Sequence, residues 1–225
     1  MKRILNSVLF FILITGNLSA QNWDWGGPID PIQAKMKIRH YRLELEFLPE
    51  EQSITGSNTI TFSTEEKLDT LRFQLIDEYI VSRVLMDGRE VRFIHQNDVL
   101  DILPVDCTCD QVQIFYGGET PIAQNPPWTG GFTWEMDQLE NHWMGLSSQG
   151  EGAKIFMPAL DHPSSEPSEG ADLILTVPKP YFVASNGKLV QTQEKEDKIT
   201  YTWSTSYPIN NYNLNFTLGI FQEEK

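Results

Sequence analysis

The run from Leu146 to Pro167 reads Leu-Ser-Ser-Gln-Gly-Glu-Gly-Ala-Lys-Ile-Phe-Met-Pro-Ala-Leu-Asp-His-Pro-Ser-Ser-Glu-Pro and gathers carboxylate, amide and imidazole groups in one stretch. Asp161, His162 and Glu166 are the nearest approach to a metal-ligand cluster, but Pro163 interrupts the local helix that would align them. A solvated acidic turn is the simpler reading. The four histidines, His40, His95, His142 and His162, form no His-Glu-x-x-His motif, and no two lie three to five residues apart. A zinc site of that kind is therefore excluded. Neither a Gly-x-Ser-x-Gly elbow nor a phosphate loop is present. Glu135 and Glu140 have the chemistry of a glycosidase pair, yet among 31 acidic residues such pairs arise by chance. Cys107 and Cys109 stand one residue apart, where a bridge between them would be strained; they read as ordinary residues, far in sequence from any histidine that could activate a thiol.

The elements around this stretch are strands. Tyr41, Leu43, Leu45 and Phe47 alternate with His40, Arg42, Glu44 and Glu46, the period of a half-buried strand. A second strand spans Ile54 to Phe62, and a third Leu68 to Leu75. Asp87-Gly88 predicts a hairpin between Ile80–Met86 and Val91–His95, because a type I′ turn favours that dipeptide. Strands at Val99–Leu103 and Val112–Tyr116 follow. From Gly118 to Gly152 the alternation fails; this long segment carries Trp128, Phe132, Trp134 and Trp143, which a small satellite core would fold down. After it come Ala171–Val177, a hairpin predicted at Ser185-Asn186-Gly187 between Tyr181–Ala184 and Lys188–Gln191, a strand at Ile199–Trp203 and a last one within Asn213–Phe221. Strands every eight to twelve residues and no amphipathic helix imply an all-β domain, an antiparallel sandwich or open barrel.

Residues 1–20 have a basic start at Lys2 and Arg3, an apolar run from Ile4 to Ile14 and a small-residue end at Leu18-Ser19-Ala20, the pattern of a cleaved signal peptide. That run is too short for a bilayer span, which needs about 20 residues, so no stable membrane span is expected. The implied location is secreted or periplasmic, with cleavage near Ala20. Residues 21–35, rich in Trp, Gly and Pro, read as an extended leader, and 36–225 as one domain. Cleavage removes two basic residues and no acid, taking the formal charge from −14 to −16. Such a surface favours solubility and excludes nucleic acid, which requires a basic face.

A family resemblance emerges from the order of several pieces. These are Tyr41–Phe47, the Thr-Gly-Ser within Ile54–Phe62, Asp87-Gly88, Tyr116-Gly117-Gly118, Gly130-Gly131-Phe132-Thr133-Trp134, Phe156-Met157-Pro158 through Asp161-His162-Pro163 to Glu166-Pro167, Val177-Pro178 and Ser185-Asn186-Gly187. Together, over about 36–221, they resemble the N-terminal β domain of the aminopeptidase N family of zinc metallopeptidases. The resemblance implies a saddle-like open β structure packed on a thermolysin-like catalytic domain. That domain's Gly-x-Met-x-Asn and His-Glu-x-x-His motifs are absent here, so no catalytic residue and no metal ligand is assigned. Zinc is expected only in the missing catalytic domain, and this chain is expected to be non-catalytic alone. The family's N-terminal domain lends a Gln or Glu, just upstream of its Phe-x-Pro-x-x-Asp-like motif, to the pocket for the substrate's free α-amine. Here the candidates are Gln149 and Glu151, whose oxygens accept a charge-assisted hydrogen bond from an ammonium, while Asp161 is assigned to anchoring the turn. The implied partners are peptide N-termini and a metallopeptidase catalytic domain, separate or missing. The alternative is a carbohydrate-binding or protein-interaction β-sandwich using Trp128, Phe132, Trp134 and Trp143.

Overall fold

The computed structural model describes residues 25–103 and 109–221. The signal-peptide expectation and Cys107 lie outside them. Among the described residues fifteen strands occur in chain order: β1 (Met36–Leu48), β2 (Ser53–Thr64), β3 (Leu71–Gln74), β4 (Ile80–Met86), β5 (Arg89–Glu90), β6 (Arg92–Gln96), β7 (Val99–Leu103), β8 (Gln111–Glu119), β9 (Gly131–Met136), β10 (His142–Ser147), β11 (Ala171–Pro178), β12 (Phe182–Ser185), β13 (Lys188–Lys195), β14 (Lys198–Thr205) and β15 (Phe216–Gly219). They form an eight-stranded sheet in the order β13-β14-β11-β1-β2-β8-β4-β5, a four-stranded sheet β12-β15-β10-β9 and a three-stranded sheet β3-β7-β6. The fold is all-β and mostly antiparallel, as the alternation predicts.

The large sheet is organised by β1. Tyr41, Leu43, Leu45 and Phe47 are buried on one face, and His40, Arg42, Glu44 and Glu46 stand on the other, as period-two geometry requires. In register, Tyr41 faces Ile60 and Phe47 faces Ile54 across the antiparallel β1–β2 pair. On its other side β1 runs parallel to β11, with Leu43 opposite Leu173 and Leu45 opposite Leu175. Local patterning carries no information on strand direction, so this parallel pair departs from a purely antiparallel expectation. Phe216 of β15 ties the sheets together, its ring 5.2 Å from Phe47, 5.7 Å from Phe156 and 6.1 Å from Phe132.

The turn at Asp87-Gly88 has positive φ at both residues, 47° and 74°, matching type I′. Its return arm is shorter than predicted: β5 pairs with β4 for two residues, and β6 then joins β7 in the three-stranded sheet. The hairpin predicted at Ser185-Asn186-Gly187 does not form. β12 pairs with β15, and β13 pairs with β14 in a different sheet, so this turn carries the chain from one sheet to another. A turn dipeptide specifies a reversal but not which strands bond across it. The hairpin in this region is β13–β14, at the charged turn after Lys195. Within the aromatic-rich segment, β9 and β10 form an antiparallel hairpin and bury Phe132 and Met144. Cys109 is disulfide-bonded, which corrects its reading as an ordinary residue.

The leader's described part docks on the domain. The Arg72 guanidinium makes a bidentate pair with Asp101 at 2.7 Å and reaches Asp30 at 3.0 Å, joining leader, β3 and β7. Burial raises the Asp30 carboxyl, but the Ile32 amide and Arg72 outweigh it and hold the group below the usual carboxylate range.

The chain from Ala153 to Asp161 is buried yet irregular, so side chains must satisfy its backbone. Tyr79 Oη donates to Ile155 O at 3.0 Å and Tyr116 Oη to Phe156 O at 2.6 Å. Asn58 Nδ2 donates to Pro158 O at 2.9 Å and Asn211 Nδ2 to Leu160 O at 2.7 Å. Tyr41 Oη accepts from Leu160 N at 3.2 Å, and Gln74 and Ala159 exchange two backbone bonds. Tyr116→Phe leaves a buried carbonyl without its donor and is expected to cost about 1–3 kcal/mol in urea unfolding. Tyr207→Phe, at an exposed position, is expected to change stability by less than about 0.5 kcal/mol.

Candidate functional site

Gln149 and Glu151 lie in the turn that leaves β10 and enters the buried segment. Ser148 holds the start of this turn, donating its hydroxyl to Tyr212 O at 2.6 Å and accepting from Gly152 N at 2.9 Å through its carbonyl. Gly152 closes it at φ 84°, and a Cβ there would fall 2.3 Å from both Asp161 Oδ2 and Trp25 Nε1. Only glycine fits that backbone and that space.

The two candidates differ in surroundings. Gln149 is exposed and lines a cavity of about 390 Å³ together with Pro127, Ser147, Tyr212, Asn213 and Asn215. Glu151 is half-buried and turned towards the loop before β9. Its Oε2 lies 2.2 Å from where a Gly130 Cβ would stand, beside Ser147 O. This oxygen is buried and has no hydrogen-bond partner. A buried carboxylate oxygen without a donor is costly. The structure thus places both residues in one region, Gln149 on the cavity wall and Glu151 behind the Ser147–Gly130 strand ends.

Asp161 anchors the turn. Its Oδ1 accepts from Ala153 N at 2.6 Å, and its own amide donates to Gln74 Oε1 at 3.0 Å, which also accepts from Gln33 Nε2. Oδ2 and the Trp25 indole N–H lie together against Gly152 without a well-formed hydrogen bond between them. Burial pushes the carboxyl from its usual 3.8 up to about 6; the Ala153 amide and the Lys154 ammonium oppose that rise.

His162 does not converge with Asp161 and Glu166. Its Nδ1 accepts from Ser164 N at 3.1 Å, so the proton sits on Nε2, which donates to Gly27 O at 3.0 Å. Glu166 is exposed. The other histidines are dispersed: His40 near Asp172 at 3.6 Å, His95 donating to Leu75 O at 2.9 Å and His142 beside Glu50 at 3.1 Å. Among the described residues no three His, Cys, Asp or Glu side chains group to hold a metal. Their donor set does not fit zinc. No helix among them is long and apolar enough to cross a membrane. Glu135 and Glu140 are exposed beside the β9–β10 turn.

The aromatics of the alternative reading do not form one stacking face. Phe132 is fully buried, and Trp134 stacks on it while donating to Thr120 Oγ1 at 2.8 Å. Trp128 is 79% exposed, whereas Trp143 packs over Gly145 and Gly219.

These elements make a multi-sheet β domain with a cavity at the turn that follows β10. No family model and no curated protein matches the sequence. Among solved structures, an M1 zinc metallopeptidase from Deinococcus radiodurans matches with a TM-score of 0.69 at 22% identity, over 82% of this chain and 42% of that one. A two-domain M1 zinc metallopeptidase with L-arginine bound matches with a TM-score of 0.69 at 23% identity, with the same coverage. Leukotriene A4 hydrolase from Saccharomyces cerevisiae follows at 0.64 and 18%, over 82% of this chain and 29% of that one. The chain therefore has the fold of one domain of the M1 zinc metallopeptidases and spans less than half the length of these proteins.

The Asp161 carboxyl gives a pH signature. Its folded pKa lies above its unfolded value, so its contribution to stability falls as pH rises from about 4 to about 6 and stays low above that. Relative to Asp161→Asn, the natural protein is expected to gain about 1 kcal/mol in urea unfolding between pH 7 and pH 5. An unchanged difference would place the titration of this carboxyl elsewhere.

Proposed function

We propose that this chain is the N-terminal, non-catalytic β domain of a secreted or periplasmic aminopeptidase N-like zinc metallopeptidase. It shapes one wall of the active-site cleft and binds the free α-amine of peptide substrates. The observation that carries the reading is the conjunction of this fold with Gln149 on a cavity wall and, two residues on, a Glu151 oxygen that no donor meets. In this reading Glu151 supplies the carboxylate that meets the ammonium, and the Gln149 amide supports it from the cavity wall. Charge favours this division of labour, because an ionised acceptor binds a cation roughly twice as strongly as a neutral one. The zinc, the general base and the opposite wall belong to a catalytic domain on other sequence. The dispersal of Trp128, Phe132, Trp134 and Trp143 gives no support to the carbohydrate-binding alternative.

Two measurements test the proposal on the purified chain. With an aminoacyl arylamide it is expected to release no arylamine; chelator-sensitive hydrolysis would overturn the non-catalytic assignment. Leucine amide is expected to bind and to lose about tenfold in affinity on Glu151→Gln. Equal binding of N-acetyl-leucine amide would remove the amine site.

A further inference from the structure

Residues 25–33 are held to the domain by two dissimilar ends. At the far end Asp30 Oδ2 accepts from the Arg72 guanidinium at 3.0 Å, and Gln33 Nε2 donates to Gln74 Oε1 at 2.8 Å. The Ile32 and Gln33 amides also donate to Asp30 Oδ1, at 2.8 and 3.3 Å. At the near end Trp25 meets Tyr212 edge-on, with ring centroids 4.9 Å apart. Its indole nitrogen and Asp161 Oδ2 each come within 2.3 Å of where a Gly152 Cβ would stand, and both are buried without a hydrogen-bond partner. This end relies on ring packing and on His162 Nε2, which donates to Gly27 O at 3.0 Å. Between the ends stand Gly26 and Gly27, at φ 93° and 77°, angles that glycine takes without strain. The segment thus has a well-bonded end, a pliable Gly-Gly pair and a weakly bonded end that lies on a buried carboxyl.

We infer that residues 25–33 are a pH-sensitive strap: the Trp25 end lets go of Gly152 when the Asp161 carboxyl beside it ionises, and the Asp30 end stays bound. In the docked strap Asp161 is sealed from water, and burial pushes its carboxyl from 3.8 up to about 6. Release hydrates the carboxylate and returns it towards 3.8. Release therefore expels a proton and is promoted as pH rises from about 4 to about 6, with no further gain above that. The other groups facing Asp161 do not oppose this in that interval. The Ala153 amide and the Lys154 ammonium sit on the turn, and burial keeps the Tyr41 phenol of β1 protonated. Asp30 behaves oppositely: its carboxyl is held below the usual range, so its pair with Arg72 persists as the near end releases. Tyr212 also lines the cavity beside Gln149, so release of Trp25 frees one wall of that cavity. The strap is independent of the amine-binding reading above.

Fluorine NMR of the full chain labelled with 5-fluorotryptophan tests the strap, with the Trp25 resonance identified by its loss in Trp25→Phe. The difference in its shift between H2O and D2O reports exposure of the ring to solvent. The ratio of released to docked strap is expected to rise about tenfold from pH 5 to pH 7. In Asp161→Asn, and in Asp161→Ser as a second variant without the carboxyl, that ratio is expected to stay constant, while the remaining fluorotryptophan resonances show that the fold is kept. Equal exposure of Trp25 at pH 5 and pH 7 in the natural chain overturns the strap. A response that persists in both Asp161 variants and disappears in His162→Gln overturns the role of the carboxyl and assigns the switch to the imidazole.

Discussion

Burying an irregular segment is the constraint on which this structure depends. Residues 153–161 cross the interior without the ladder bonds that serve a strand, and each buried backbone group there needs a partner. The partners come from distant elements: Tyr41 of β1, Asn58 of β2, Gln74 of β3, Tyr79 before β4, Tyr116 of β8 and Asn211 before β15. These side chains fix where the segment lies relative to the large sheet, and so where Gly152, Glu151 and Gln149 emerge at its start. The candidate site owes its geometry to hydrogen bonds made on the far side of the turn.

Electrostatics acts in opposite directions on two carboxyls, Asp161 in this segment and Asp30 in the leader. Asp161 is kept in a dry environment with one strong donor, and desolvation raises its pKa to about 6. Arg72 instead meets two carboxylates and links Asp30 to Asp101 in partial exposure. Residues 25–33 are thereby held at both ends of their course, by Arg72 and Gln74 at one and by His162 and Tyr212 at the other. The segment that begins as a leader thus contributes Trp25 to the packing behind the candidate site.

The ionisable side chains of the domain are dispersed over its surface. Its four histidines are separated and individually engaged, and the described carboxylates other than Asp161 and Glu151 face solvent or basic partners. What remains is a cavity lined by Gln149, a buried Glu151 oxygen without a partner two residues on, and an exposed Trp128 ring on the loop before β9.

The sequence by itself determined the strands whose two faces differ. Tyr41–Phe47 was legible because burial of one face imposes a period of two, and Asp87-Gly88 because positive φ at both turn positions restricts residue choice. It also singled out Gln149, Glu151 and Asp161 as chemically notable. Tertiary structure alone decided the rest. Asn186-Gly187 carries a hairpin signal, yet its two arms bond in different sheets, because strand partners are chosen by burial across the whole domain. β9 and β10 escaped the alternation because apolar Trp134, Met136 and Trp143 stand at positions that are not buried, so polarity does not track the two faces. The direction of β11 beside β1 and the opposite settings of Gln149 and Glu151 depend on contacts between residues far apart in the chain. Such contacts leave no local period to read.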